Sequence, residues 1–180
     1  MSIISFHAPL FKINAWTILR LPKEASAKLP SRGQTMVKGT INGFQFQTAL
    51  EPDGNGSHWF RVDKDMQKSI EAQAGDTVTL AIESTKNWPE PDVPADVRAA
   101  LDVHPQAQAL WVRITPMARW EWIRWVGATS KTETRARRIE VACSKLMAGE
   151  RRPCCFNRNA CCVPAVSKSG VLLEPTGTRK

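Results

Sequence analysis

The sequence predicts an α+β protein, a small antiparallel β-barrel followed by a helical module. Three observations carry this. Two alternating runs, Met36–Ile41 and Phe44–Leu50, meet at Asn42-Gly43, the dipeptide that supplies the two positive φ angles of a tight hairpin turn. Further short alternating runs with turn signals between them flank that hairpin. From Pro94 onward the apolar period changes from two to about 3.6, the period of a helix.

The elements follow in order. Residues 3–21 predict one strand or a pair, ended by Pro22, which cannot donate to a ladder. Residues 22–33 predict a loop or a short helical turn. In the hairpin, Val37 and Ile41 fall on one face and Met36, Lys38 and Thr40 on the other. On the return strand Phe44, Phe46 and Thr48 share a face opposite Gln45 and Gln47. Residues 51–57 are rich in turn formers, and His58–Val62 is a short strand. Asp63 predicts an N-cap for a helix over 64–73, because its carboxylate can accept from the free amides of the first turn. Gly75-Asp76 turns the chain into Thr77–Glu83, whose Val78, Leu80 and Ile82 share one face.

Three prolines at 89, 91 and 94 mark a boundary. Helices are predicted from Pro94 to about Val103, from Pro105 to about Ile114, from Thr115-Pro116 to about Ser130, and from Thr132 to a stop at Gly149. The apolar stripe of the last one is Ile139, Ala142, Cys143 and Leu146. The predicted organisation is a barrel over 1–88, a helical module over 89–152 and a loose, cysteine-containing tail over 153–180, with little periodicity beyond Arg152.

Composition narrows the function classes. An apolar fraction of 42% is enough for a packed core, and the 180 residues bury roughly 70% of the unfolded surface. There is no run of about 18 apolar residues that would span a bilayer. The first residues lack a charged head followed by an apolar block, so the expected compartment is the cytoplasm, where the five cysteines stay reduced. The net charge is +8, and 11 of the 14 arginines lie beyond residue 88. This asymmetry suggests an acidic partner, protein or nucleic acid, for the second half.

Candidate binding residues cluster there. Arg135, Arg137 and Arg138 lie within one turn of the last predicted helix, with Arg124 and Lys131 nearby. Guanidinium forks suit phosphates and carboxylates. Arg135 and Arg138 share a side of that helix and Arg137 diverges. Local pairing with Glu133, four residues before Arg137, or Glu140, three after it, is the plainer role for such a string. In Arg119-Trp-Glu-Trp-Ile-Arg-Trp125, the face shared by Trp122 and Trp125 suits either base stacking or packing as core. Cys154, Cys155, Cys161 and Cys162 offer four thiolates. Adjacent cysteines diverge, however, which suits a single tetrahedral zinc poorly, so no metal and no cofactor is expected. His7, His58 and His104 are scattered. There is no phosphate loop, His-Glu-x-x-His or nucleophile elbow, and no enzyme activity is expected.

The ordered motifs Asn42-Gly43 with Phe44-Gln-Phe46, Gly75-Asp-Thr-Val78, Val93-Pro-Ala-Asp-Val97, Ala100-Leu101 and Pro105-Gln-Ala107 resemble a small bacterial β-barrel domain of unknown function. Trp122–Val126, Ser130–Glu140 and Leu146-Met-Ala-Gly149 resemble the YdeI/OmpD-associated family, labelled bacteriocin protection. The resemblance spans roughly residues 5–152. It implies a barrel of the double-split type, shared with AbrB-like DNA-binding domains, followed by a small helical unit; it implies no catalytic residues. The expected function is thus non-enzymatic binding or stress protection. A DNA- or RNA-binding regulator is the alternative, and a ligand-binding barrel walled by Trp59 and Phe46 is a third reading.

Overall fold

The computed structural model describes residues 2–153, 164–167, 169 and 171–176. The chain forms two compact units, Met1–Asn87 with Ala165–Lys180, and Trp88–Pro164.

In the first unit β1 (Ile4–Ile13), β2 (Trp16–Arg20), β3 (Thr35–Ile41), β4 (Phe44–Pro52), β5 (His58–Arg61) and β6 (Thr77–Ser84) close into an antiparallel barrel of order β1-β2-β5-β4-β3-β6. The pair of strands at the N-terminus is a hairpin turning at Asn14, with φ 54°. The β3–β4 hairpin turns where predicted, with φ 48° at Asn42 and 82° at Gly43. Asn42 also ties that turn to β6: its Oδ1 accepts from Thr79 N–H (2.9 Å) and its own N–H donates to Thr79 O (2.8 Å). Gly39 is required for a different reason. A Cβ there would lie 2.0 Å from Ala81 O of β6, so no other residue fits this strand crossing.

Alternation along each strand fills the interior with Ile4, Phe6, Leu10, Leu19, Val37, Ile41, Leu50, Val78, Leu80 and Ile82, and with Phe46 stacked on Phe60 at 5.6 Å. The Phe face of β4 is only partly core: Phe46 is 8% exposed, whereas Phe44, beside the turn, is 41% exposed. Turn proximity overrides alternation at the strand's end. The ligand-barrel reading is corrected too. Trp59 neighbours Phe60 in an extended strand and faces the other way, so it and Phe46 do not wall a common space, and side chains fill the interior.

Two short helices belong to this unit, α1 (Lys23–Ala27) and α2 (Lys64–Ile70). Asp63 caps α2 as predicted, its carboxylate accepting from Met66 N–H at 2.8 Å. The helix ends three residues sooner than expected, because Glu71 adopts the left-handed conformation with φ 51°.

The stretch expected to be loose departs from that expectation where it is described. Val166 bridges Leu172, Leu172 N–H donates to Asp53 O (2.9 Å), Thr176 N–H donates to Lys12 O (2.8 Å), and Ala165 and Leu172 are buried. The hold comes from backbone N–H groups donating to the carbonyls of Asp53 and of Lys12 in β1, which leaves no periodic trace in the side chains.

The second unit holds α3 (Ala95–Asp102), α4 (Pro105–Arg113), α5 (Pro116–Gly127) and α6 (Thr132–Met147). Pro105 and Pro116 occupy first-turn positions, where the missing N–H costs nothing. Thr115 caps α5 through Ala118 N–H (3.2 Å). Gly149, with φ +88°, stands just past the end of α6. The predicted stripe Ile139, Ala142, Cys143 and Leu146 is buried against Val97, Leu101, Trp111 and Trp122. Among the described residues no helix is long and apolar enough to cross a membrane.

Candidate functional site

The arginine string lies in the first half of α6, and the helix period divides it. Arg135 turns toward α3, where its Nε and Nη2 grip Asp96 at 2.7 and 3.0 Å. That forked hydrogen bond holds the Asp96 carboxyl below its ordinary value and raises the guanidinium. Arg138, three residues on and on the same side, reaches the end of α5. Its Nη1 donates to Trp125 O (3.0 Å) and Ala128 O (2.9 Å), and the guanidinium lies 5.6 Å from the Trp125 ring. These carbonyls lie at the end of α5, where Trp125 O otherwise accepts the long Ala128 N–H bond of the cap (3.4 Å), so a cation is favoured there. Arg137 diverges and is exposed, as is Lys131 at the helix start. Neither expected pairing of Arg137, with Glu133 or Glu140, forms among the described residues.

The same capping device occurs one helix earlier. Arg119 of α5 donates through Nε to Trp111 O (2.9 Å) and through Nη2 to Ile114 O (2.7 Å) and Val112 O (3.2 Å), at the end of α4. Its Nη1 pairs with Glu90. An arginine from the next helix thus closes each of α4 and α5. No signal in the sequence singled out Arg119, since its partners are carbonyls rather than a complementary side chain.

The tryptophans of α5 pack within the helical unit. Trp122 is 1% exposed, meets Trp125 edge-on at 6.1 Å, and donates its indole N–H to Arg151 O (3.0 Å). Trp120 packs edge-on against Trp88 and donates to Pro89 O at 2.8 Å, which anchors the proline-rich segment. Trp125 lies beneath Arg138, and Arg124 is half-buried on the same helix. Glu121, which sequence reasoning did not pick out, is buried between the tryptophans with Oε1 3.6 Å from Arg152 Nη1. Its position inside Trp-Glu-Trp was the available cue. The arrangement leaves Lys131 and Arg137 as outward cations carried on a rigid helix.

Among the described residues the remaining candidates are not gathered into a site. His7 bonds Thr79 Oγ1 (2.9 Å), His104 bonds Ala100 O (2.8 Å), and His58 is buried in the barrel unit. Burial pushes the Cys143 thiol up, away from the thiolate a nucleophile or metal ligand needs. Cys154, Cys155, Cys161 and Cys162 lie outside the described residues. A groove of about 540 Å³ on the barrel wall is lined by Lys38, Thr40, Gln45, Phe46, Gln47 and Glu83, and its two charges pair with each other at 3.2 Å.

Comparison with known families agrees with this division of the chain. Residues 6–82 match the domain of unknown function DUF1905, and residues 90–149 match the model described as bacteriocin-protection, YdeI or OmpD-associated. The curated proteins give no match. The first match covers strands β1–β6 almost end to end, and the second covers α3 to the glycine that follows α6. The chain thus carries a DUF1905 barrel domain followed by a YdeI/OmpD-associated helical domain.

Proposed function

We propose that the chain is a non-enzymatic binding protein of the bacteriocin-protection type, which meets an acidic protein through the outward cations of its helical unit. The observation that supports this reading is the split within the Lys131–Glu140 segment. Arg135 and Arg138 are bonded internally, while Lys131 and Arg137 are held outward on the same helix without an acid against them among the described residues. An exposed cation on a fixed backbone binds at a lower ordering cost than one on a loop. Arg124 is the third candidate contact. In this reading Trp122, Trp125, Arg135 and Arg138 position the surface rather than touch the partner. The histidines are all engaged in hydrogen bonds that maintain the fold, which favours binding over catalysis.

The excess of arginine beyond residue 88 also supports a nucleic-acid partner, because guanidinium pairs with phosphate as readily as with carboxylate. Fluorescence anisotropy with a labelled polyglutamate peptide, a short DNA and a short RNA separates the two. Binding to the peptide that is lost in Lys131→Glu/Arg137→Glu, in a variant that folds normally, is the expected result. Preference for DNA or RNA that persists at about 200 mM salt moves the assignment to the regulator. Full binding by the double variant overturns the proposed surface.

A further inference from the structure

The connection between β2 and β3 is bonded at two points by one buried imidazole. Residues 22–34 contain α1, and they pack Ala25 and Leu29 into the same apolar core as the barrel strands. His58, the first residue of β5, is 1% exposed. Its Nδ1 lies 2.7 Å from Ser26 Oγ on α1, and its Nε2 lies 2.9 Å from Gly33 O in the following loop. A carbonyl can only accept, so Nε2 carries the proton and Nδ1 accepts from the Ser26 hydroxyl. One neutral ring therefore grips both ends of the connection. Arg32 strengthens the same corner by donating from Nη2 to Ser26 O at 2.7 Å.

A second proton would strain this arrangement. It would sit on Nδ1, reversing the bond so that Ser26 Oγ must accept and its own hydroxyl proton loses this partner, and it would place a positive charge in a buried corner beside Arg32. The charged groups around the ring are Arg32, on the loop, which opposes protonation, and Asp53, on the β4–β5 connection, which favours it. Asp53 Oδ1 already accepts from Asn55 and Ser57 N–H, both at 2.8 Å. The neighbouring strands meet His58 with Leu21 of β2 and Pro52 of β4, neither of which titrates.

We propose that residues 22–34 form an acid-released latch: protonation of His58 frees α1 and its loop while the six-stranded barrel stays closed, and this bares the apolar core surface that Ala25 and Leu29 cover. Burial is the main cause that holds the His58 pKa below its ordinary value of about 6.5 in the latched state, and release into water restores that value. Between the two values the open form binds more protons. The latch is thus fully favoured above about pH 6.5 and weakens as pH falls toward the lowered value, with no further loss beneath it.

Hydrogen exchange of the full chain at about pH 7.5 and about pH 5.5, corrected for the intrinsic pH dependence, tests this. Amides of residues 22–34 are expected to lose protection at the lower pH, by at most about tenfold because about pH 5.5 lies one unit below the ordinary value, while β1 and β6 keep theirs. His58→Gln supplies a donor for Gly33 and an acceptor for Ser26 but cannot titrate, and it should abolish the response. Unchanged protection, equal loss throughout the barrel, or the same response in His58→Gln overturns the proposal. If that variant fails to fold, an NMR titration of the His58 ring in the unaltered chain decides the matter. Loosening of 22–34 should track ring protonation, and protonation without loosening refutes the latch.

Discussion

Replacing Arg138 by alanine separates scaffold from surface within the arginine string. The side chain makes two hydrogen bonds from a charged donor to the end of α5 and covers the Trp125 ring. Charged hydrogen bonds contribute about 1.5–3 kcal/mol each in favourable cases, a cation at a helix C-terminus about 0.3–1, and a partly exposed cation–π contact about 0.5–1. These contributions overlap, since one guanidinium makes all of them, and water can reach part of the exposed end after truncation. The expected cost is therefore about 2–3 kcal/mol. Arg137→Ala, on an exposed side chain of the same helix, should stay within about 0.5 kcal/mol. Urea unfolding followed by tryptophan fluorescence and far-UV circular dichroism measures both, with the midpoint of the helical transition as readout, because the barrel and helical units can unfold separately. Equal midpoints for the two variants would refute the claim that Arg138 is a capping residue.

Two further outcomes follow from the geometry. Phe46→Ala should cost about 3–5 kcal/mol, because it removes a ring stacked inside the barrel, while Phe44→Ala should cost well under half of that. Equal costs would put the β4 register in error. Acid should weaken the Asp96–Arg135 pair. With the Asp96 carboxyl held below its ordinary value by Arg135, its contribution is complete above the unfolded carboxylate pKa of about 4 and is lost as pH falls through the folded value. The pair is partly exposed, so Asp96→Asn should remove less than about 1 kcal/mol at neutral pH and flatten that acid limb; an unchanged limb would contradict the pairing.

How legible each part was depended on whether its cause is local. The Asn42-Gly43 turn, the Asp63 cap, the prolines that open α4 and α5 and the α6 stripe all act within a few residues, and each could be read from the sequence. So could the divergence of Arg137 from Arg135 and Arg138, which is a property of the helix period. What Arg135 and Arg138 hold could not be read. Asp96 lies 39 residues away and the carbonyls of α5 carry no side-chain signal. The same is true of Arg119, whose partners are again carbonyls, and of the Ser26–His58–Gly33 grip and the bonds of Leu172 and Thr176 to the barrel unit, each made by pairs far apart in sequence. Phe44 misled for the opposite reason: alternation assigns a face but not the depth of a residue beside a turn.

The most direct test of the central claim, that Lys131 and Arg137 form the contact while Arg135 and Arg138 maintain it, is the salt dependence of binding to one labelled acidic probe, compared between the unaltered chain and Lys131→Gln/Arg137→Gln. The account predicts a steep loss of affinity from about 50 to 200 mM salt in the unaltered chain, with a slope shallower by about two charges in the variant. Identical slopes and affinities would contradict it, and would place the acidic partner elsewhere on the protein.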